Sequence, residues 1–226
     1  MQVAVDGPSG SGKSTICKIL AEKFDLLYLD TGAMYRGASY IKLQHGLTYP
    51  ELYKILEHTV FNFYDKGRGL VLEYFYNKTY ATDVSTAIRG PEVTALVSEV
   101  SADETVRKIL TEKQQSIAAG ADVILDGRDI GTVVLPQAEI KFFLTATAEE
   151  RARRREEEWR GKGINVEFAE VLRQIIERDR MDSTRQTAPL KKAEDAIELD
   201  TTHLTIPEVT GIIGAAVEKV KPSAGA

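Results

Sequence analysis

Gly7-Pro8-Ser9-Gly10-Ser11-Gly12-Lys13-Ser14 fills every fixed position of G-x-x-x-x-G-K-[ST], the pattern of a phosphate-binding P-loop. Its glycines let the backbone turn tightly round a phosphate chain and aim successive N–H groups inward with no Cβ in the way. Lys13 supplies a mobile cation for the β- and γ-phosphates, and the Ser14 hydroxyl is placed to ligate the Mg²⁺ that bridges them. The flanks agree with this reading. Val3-Ala4-Val5-Asp6 ahead of the loop is a short apolar strand. Thr15 to Phe24 behind it has helical spacing, with Ile16, Ile19, Leu20 and Phe24 on one face. The helix that starts here adds the positive end of its dipole.

Outward from the loop, strands and helices alternate. Leu26-Leu27-Tyr28-Leu29-Asp30 is an apolar run ended by an acid, as expected of a strand buried on both faces of a parallel sheet. It completes a βαβ unit, and a second helix then runs from Thr31 to about Gly46, capped by Asp30 or Thr31. Two aromatic runs, 60–64 and 70–76, flank a Gly-containing turn at 66–69 and read as a hairpin, with 78–82 as a third strand. Helices are expected over 91–102 and 104–119. An apolar strand follows that stops at Asp126 and presents Gly127-Arg128-Asp129; Asp126 stands where the second acidic element of a P-loop site belongs. A buried strand at 141–146 leads to a helix in which Arg151, Arg153, Arg154, Arg155 and Arg160 are interleaved with glutamates, broken at Gly161-Lys162-Gly163. A helix at about 168–180, a strand at 196–200 and a helix at 206–220 complete the chain, with fraying expected over 221–226. The expected fold is α/β: a P-loop NTPase-like three-layer arrangement around a five-stranded parallel sheet, with a small antiparallel β insert.

The 226 residues suffice for one sizeable core with an inserted subdomain. Lys and Arg number 29 against 34 Asp and Glu, a formal net charge of −5, which argues against wholesale nucleic-acid binding. No apolar run approaches the ~20 residues of a membrane span. The first strand follows Met1-Gln2 at once, leaving no room for a leader peptide. Cys17, the single cysteine, rules out an intramolecular disulfide, suits a reducing cytoplasm, and reads as a small packed residue. His45, His58 and His203 lack metal-ligand spacing. With no evident interface stripe, a monomer is expected.

Arg36, Arg128, Arg178 and Arg185 are expected in loops or at element ends, where guanidinium forks meet phosphate oxygens bidentately. They point to a second phosphate beside the one held by the loop. Transfer between two phosphates needs little acid–base work, so positioning and charge neutralisation carry the rate, and a mobile lid excludes water. Two other readings stay open on these residues. One is a P-loop kinase for another small acceptor, such as UMP, another nucleoside monophosphate or a polyol. The other is a P-loop hydrolase or switch, which wants a water-positioning Gln or a guanine-reading Asn-Lys-x-Asp; no such tetrad occurs.

Taken together, the P-loop, Asp30-Thr31-Gly32-Ala33-Met34-Tyr35-Arg36, Asp126-Gly127-Arg128-Asp129 with the Ile130 to Val134 that follow, Glu150 to Arg155, Glu177-Arg178-Asp179 and Asp195 to Thr202 resemble the bacterial cytidylate kinases, within the P-loop nucleoside monophosphate kinases. The resemblance covers essentially the whole chain, the Asp-Gly-Arg-Asp block is its most discriminating part, and the insert is similar to that family's extra β-subdomain. It implies transfer of the γ-phosphoryl group of ATP to CMP or dCMP with Mg²⁺. Gly7, Pro8, Ser9, Gly10, Ser11, Gly12, Lys13, Ser14 and Thr15 are then expected around ATP, with Arg151 and Arg155 in the lid. Thr31, which stands where many members have serine, belongs to the acceptor side with Tyr35, Arg36 and Arg128, the last three on the CMP phosphate. Ser98, Arg107 and Asp129 are expected on the cytosine, and Arg178, Asp182 and Arg185 near the ribose, while Met181 replaces a commonly charged residue. The resemblance makes Lys13, Arg128, Arg155 and Arg178 the catalytic set, with Ser14 on Mg²⁺ and Asp126 reaching it through water. One kinase domain is implied: a core of 1–58, 91–147 and 186–226, an acceptor-binding β insert at about 59–90, and a lid at about 148–185.

Overall fold

A computed structural model describes residues 1–67, 69–161 and 163–220. The expectations for Arg68 in the insert turn, for Lys162 in the helix break and for fraying over 221–226 lie outside the described residues. In chain order the elements are β1 (Gln2–Asp6), α1 (Lys13–Phe24), β2 (Leu27–Asp30), α2 (Thr31–His45), α3 (Tyr49–His58), β3 (Val60–Tyr64), β4 (Gly69–Tyr76), β5 (Lys78–Asp83), α4 (Pro91–Ala102), α5 (Glu104–Ala118), β6 (Val123–Gly127), β7 (Ile140–Thr145), α6 (Ala148–Gly161), α7 (Phe168–Thr184), β8 (Ile197–Asp200) and α8 (Ile206–Val220).

Among the described residues the larger sheet has five strands in the order β2-β6-β1-β7-β8, every pairing parallel. Side chains alternate across a strand, so β1 sends Val3 and Val5 to one face and Ala4 to the other. Val3 and Val5 pack with Leu20 of α1, Ile124, Phe142 and Ile213 of α8. Ala4 packs with Leu29, Leu125, Met34 of α2 and Leu110 of α5. Helices therefore cover both faces, giving the three-layer fold expected.

Three local expectations change. β2 is buried on both faces at Tyr28 and Leu29 as expected, but its Leu27 is 44% exposed, and among the described residues the strand pairs with β6 alone, at the edge of the sheet. The first βαβ unit thus skips a position, α1 carrying the chain past the strand that β6 later fills. Ile19 is 40% exposed, because the buried face of α1 centres on Ile16, Cys17, Leu20 and Ala21. The helix α3 is an addition; it starts at Thr48, whose N–H donates to the Glu51 carboxylate at 2.8 Å, with Pro50 in its first turn.

The insert is the antiparallel sheet β3-β4-β5, with Asn77 in a left-handed conformation at the tight β4–β5 turn. Its inner face, including Phe61 and Leu72, lies on α2. A Cβ at Gly37 would come within 3.3 Å of Phe61 and 3.4 Å of Leu72, so the small residue sets how closely the insert approaches.

Candidate active site

Strands β1, β2 and β6 end at the same edge, and each carries an acid there: Asp6, Asp30 and Asp126, with Asp30 and Asp126 direct neighbours in register. The C-terminal edge of an open parallel sheet is where such folds bind ligands. Here β1 turns through the P-loop into α1. Gly7 sits at φ +149° with its pro-Cβ direction 2.1 Å from the Leu144 carbonyl oxygen, so any side chain would collide with the neighbouring strand. Lys13 folds back into the loop, its Nζ donating to the Pro8 carbonyl at 2.7 Å and to Ser11 Oγ at 3.3 Å. Burial, reinforced by the Arg128 guanidinium, lowers the Lys13 ammonium to about 7.

Ser14 Oγ donates to Asp126 Oδ2 at 2.7 Å and the Tyr28 hydroxyl to Oδ1 at 2.8 Å. Thr31 Oγ1 donates to the Asp126 carbonyl at 2.7 Å, tying the start of α2 to the end of β6. Burial and the adjacent Asp30 charge push the Asp126 carboxyl above its ordinary value. Among the described residues no three His, Cys, Asp or Glu side chains are grouped to hold a metal. The Ser14–Asp126 pair offers the hydroxyl and carboxylate oxygens that suit a Mg²⁺ shared with phosphates and water.

Facing the loop is a basic cradle. Arg36 bonds Asp30 at 2.9 Å, and Arg89 stands 3.9 Å from the same oxygen. Arg128 Nε donates to Asp182 Oδ2 at 2.7 Å. Arg107 donates from Nη2 to Asp129 Oδ2 at 2.5 Å and from Nη1 to the Ser101 carbonyl at 2.9 Å, with its guanidinium 5.1 Å from the centre of the Tyr35 ring. Arg185 lies 3.6 Å from Asp129 and 3.8 Å from Asp182. Burial, and then the charge of Arg128, lower Arg178 to about 10. Among the described residues the buried Nε atoms of Arg36, Arg107 and Arg178 meet no acceptor. Such donors are expensive to leave unpaired and suit an anion.

Both halves line one cavity of about 240 Å³, which takes Ser9, Gly10, Lys13 and Ser14 from the loop. Thr31, Tyr35, Arg36, Arg107, Asp126, Arg128, Asp129, Arg155, Arg178, Asp182 and Arg185 also line it. Gly7, Pro8, Ser11, Gly12 and Thr15 shape the loop or the first turn of α1 without lining it. From α4 the wall takes Thr94, Val97 and Ser101; Ser98, half-buried beside them, stops short of it.

Arg36 and Arg178 lie inside helices, not in loops or at element ends as expected. α2 starts directly at the sheet edge, so its second turn already faces the site. α7 continues to Thr184, with Arg180 paired to Glu177 on its outer side and Arg178 and Asp182 turned inward. Arg151 departs further from its expected place. It is 5% exposed and spends its donors on the Ala146 carbonyl at 2.9 Å, the Ser9 carbonyl at 3.1 Å and both Asp179 oxygens at 3.0 and 2.6 Å. It therefore fastens α6 and α7 to the back of the P-loop and does not line the cavity. Arg155 does line it, 4.7 Å from the centre of the Trp159 ring.

Among the residues outside the expected set, Arg89 and Asp6 add charge to this region. Arg89 reaches the cavity from the turn between the insert and α4, and no motif in the sequence marks it. Asp6, 3% exposed, accepts from the Ile130 and Gly131 amides at 2.8 and 2.7 Å; its signal is the acid that ends β1, matching Asp30 and Asp126.

A P-loop opening a helix at the edge of a parallel sheet, with a second cradle of arginines across the same cavity, defines a P-loop phosphotransferase. Residues 3–219 match the cytidylate kinase family. The cytidylate kinase of Carboxydothermus hydrogenoformans is 49% identical over 214 residues, spanning 92% of this chain and 93% of the relative. That of Fusobacterium nucleatum is 48% identical over 219 residues, spanning 97% and 98%. The chain belongs to the cytidylate kinase family. Among solved structures, an uncharacterised protein from Eubacterium ventriosum shares the fold at a TM-score of 0.51 and 14% identity, covering 96% of this chain and 98% of that one.

Proposed function

We propose that this chain transfers the γ-phosphoryl group of ATP to CMP or dCMP, giving ADP and CDP or dCDP. The observation that carries this reading is the single cavity in which the P-loop with Lys13 faces Arg36, Arg128 and Arg178, with the Arg107–Asp129 pair on its wall. One cradle holds the donor phosphates and the other the acceptor phosphate.

An oxygen of the acceptor phosphate attacks the γ-phosphorus while the bond to the β,γ-bridging oxygen breaks and ADP leaves with that electron pair. No side chain has to take a proton, since the acceptor oxygen is already anionic. Lys13, Arg128, Arg155 and Arg178 meet the charge that spreads over the transferring oxygens. Holding both nucleotides in line converts a bimolecular encounter into an intramolecular step, worth up to ~7–11 kcal/mol of barrier. Ser14 directly, and Asp126 through water, would hold Mg²⁺, which when bound neutralises charge on the donor phosphates. Asp129 accepts from the cytosine amino group and Arg107 donates to the ring acceptors, while Asp182 and Arg185 face the ribose.

The division into a core, a β insert at 59–90 and a lid at 148–185 belongs to this proposal, as do a monomeric state and a cytoplasmic location. A buried lone Cys17 suits a reducing compartment. No helix among the described residues is long and apolar enough to cross a membrane. Incubation with γ-labelled ATP and CMP, followed by chromatography, tests the reading. Label is expected in CDP; label released as inorganic phosphate without need of CMP would overturn it.

A further inference from the structure

Asp129 occupies the N-cap position of the π-helical turn Ile130–Val134. Its carbonyl accepts from Val133 N at 2.9 Å and Val134 N at 3.2 Å, as a capping residue's should. Its side chain makes no capping bond. An aspartate there ordinarily accepts on its carboxylate from the second or third amide of the turn, here Gly131 or Thr132. Here the Asp129 carboxylate points away, into the pair with Arg107 at 2.5 Å and toward Arg185 at 3.6 Å.

Gly131 N, an amide that such a cap would take, and its neighbour Ile130 N are bonded instead by the end of another strand. Asp6, at the end of β1 and 124 residues from Ile130 in sequence, accepts Ile130 N on Oδ1 at 2.8 Å and Gly131 N on Oδ2 at 2.7 Å. Burial raises the Asp6 carboxyl only to about 6, so at neutral pH it is chiefly the anion with both oxygens accepting.

We infer that Asp6 is a positioning residue for base recognition: by capping the Ile130–Val134 turn from β1, it releases the Asp129 carboxylate to face Arg107 and the acceptor base. This rests on the proposed cytidylate kinase activity for its substrate. The capping itself does not. Without Asp6 the amides of Ile130 and Gly131 lose their acceptor, and the Asp129 carboxylate stands at the N-cap position from which it can fold back onto Gly131 N. Arg107 then loses its carboxylate partner, keeping only the Ser101 carbonyl among the hydrogen bonds described above, and the site loses its acceptor for an amino group. Because β1 also leads directly into the P-loop, the same strand end sets the donor cradle and the base-reading aspartate in one register.

The test compares wild type with Asp6→Asn, Asp6→Ala, Asp129→Ala and Asp6→Asn/Asp129→Ala. Asp6→Asn keeps the size of the side chain but can accept only one of the two amides, which keeps the test available if Asp6→Ala fails to fold. Amide hydrogen exchange, which needs no substrate, should speed up at Ile130 and Gly131 in Asp6→Asn. The ratio of kcat/KM for CMP to that for UMP should fall about tenfold in Asp6→Asn, chiefly through KM for CMP, while KM for ATP stays within about twofold. In the Asp129→Ala background the Asp6 change should leave the ratio where Asp129→Ala put it, because the two act through one carboxylate. Unchanged exchange at the two amides, a preserved CMP-to-UMP ratio, or additive effects of Asp6 and Asp129 would each overturn the inference. If wild type fails to use CMP, the activity reading falls, and the exchange data still decide whether Asp6 caps the turn.

Discussion

Arg107 and Asp129 meet at 2.5 Å from opposite sides of the acceptor cradle, neither more than 4% exposed. A buried guanidinium can only donate and a buried carboxylate only accept, so the pair presents one fixed pattern to a base. Cytosine offers an amino donor and an unprotonated ring-nitrogen acceptor, and uracil reverses both.

The first prediction follows from that pattern. Asp129→Ala should lower kcat/KM for CMP far more than for UMP, narrowing the preference by roughly 1–3 kcal/mol, the cost of one buried contact left unpaired. Steady-state kinetics with the two acceptors decide it. Equal losses on both would make Asp129 an organiser of the site rather than a reader of the base.

Lys13→Ala should reduce turnover by about 10²-fold or more, because the transferring group loses its nearest cation. Among the described residues Lys13 bonds within the loop, to Pro8 and Ser11, so the fold should survive. Circular dichroism beside the activity assay checks both halves; near-normal turnover would contradict the role.

Binding of ATP should take up a proton at pH 8. Without phosphates nearby, burial and Arg128 hold the Lys13 ammonium at about 7, against 10.5 for an ordinary lysine, so at pH 8 it is largely neutral. The donor phosphates favour the charged form and raise that value. Between the free and bound values a proton enters with ATP, and affinity weakens as pH rises above about 7. Calorimetry of Mg²⁺-ATP binding in two buffers of different ionisation enthalpy should give an uptake approaching one proton; none at all would place the lysine charge elsewhere.

Trp159 should report donor binding. Arg155 lies over its ring at 4.7 Å and both line the cavity, so drawing Arg155 toward the phosphates of ATP changes the indole surroundings. Saturating ATP is expected to alter the fluorescence more than saturating CMP does. Identical spectra with and without ATP would keep Arg155 on the tryptophan throughout.

What could be read from the sequence was local. The P-loop between an apolar strand and a helix, the strand that stops at Asp126, the three-stranded insert and the helix over 206–220 each follow from patterns within about a dozen residues. Strand order does not, since β2 is parted from β1 only because β6, nearly a hundred residues later, fills the place between them. The fate of individual arginines is equally non-local: Arg151 pairs with Asp179, 28 residues on, and a helix of alternating charge carries no sign of which members turn inward. Asp6 looks like the last residue of a strand until the turn at Ile130 is folded against it. The helix α3 was within reach, because Thr48, Pro50 and Glu51 carry its start signal.

The most direct test of the central claim is an ADP-release assay run across CMP, dCMP, UMP, AMP and GMP at equal concentration. Release should depend on acceptor, with CMP and dCMP well ahead of UMP and the purine nucleotides near background. A flat profile, or ADP release that needs no acceptor, would contradict the assignment of the Arg36–Arg128–Arg178 cradle and the Arg107–Asp129 pair to a cytidine monophosphate.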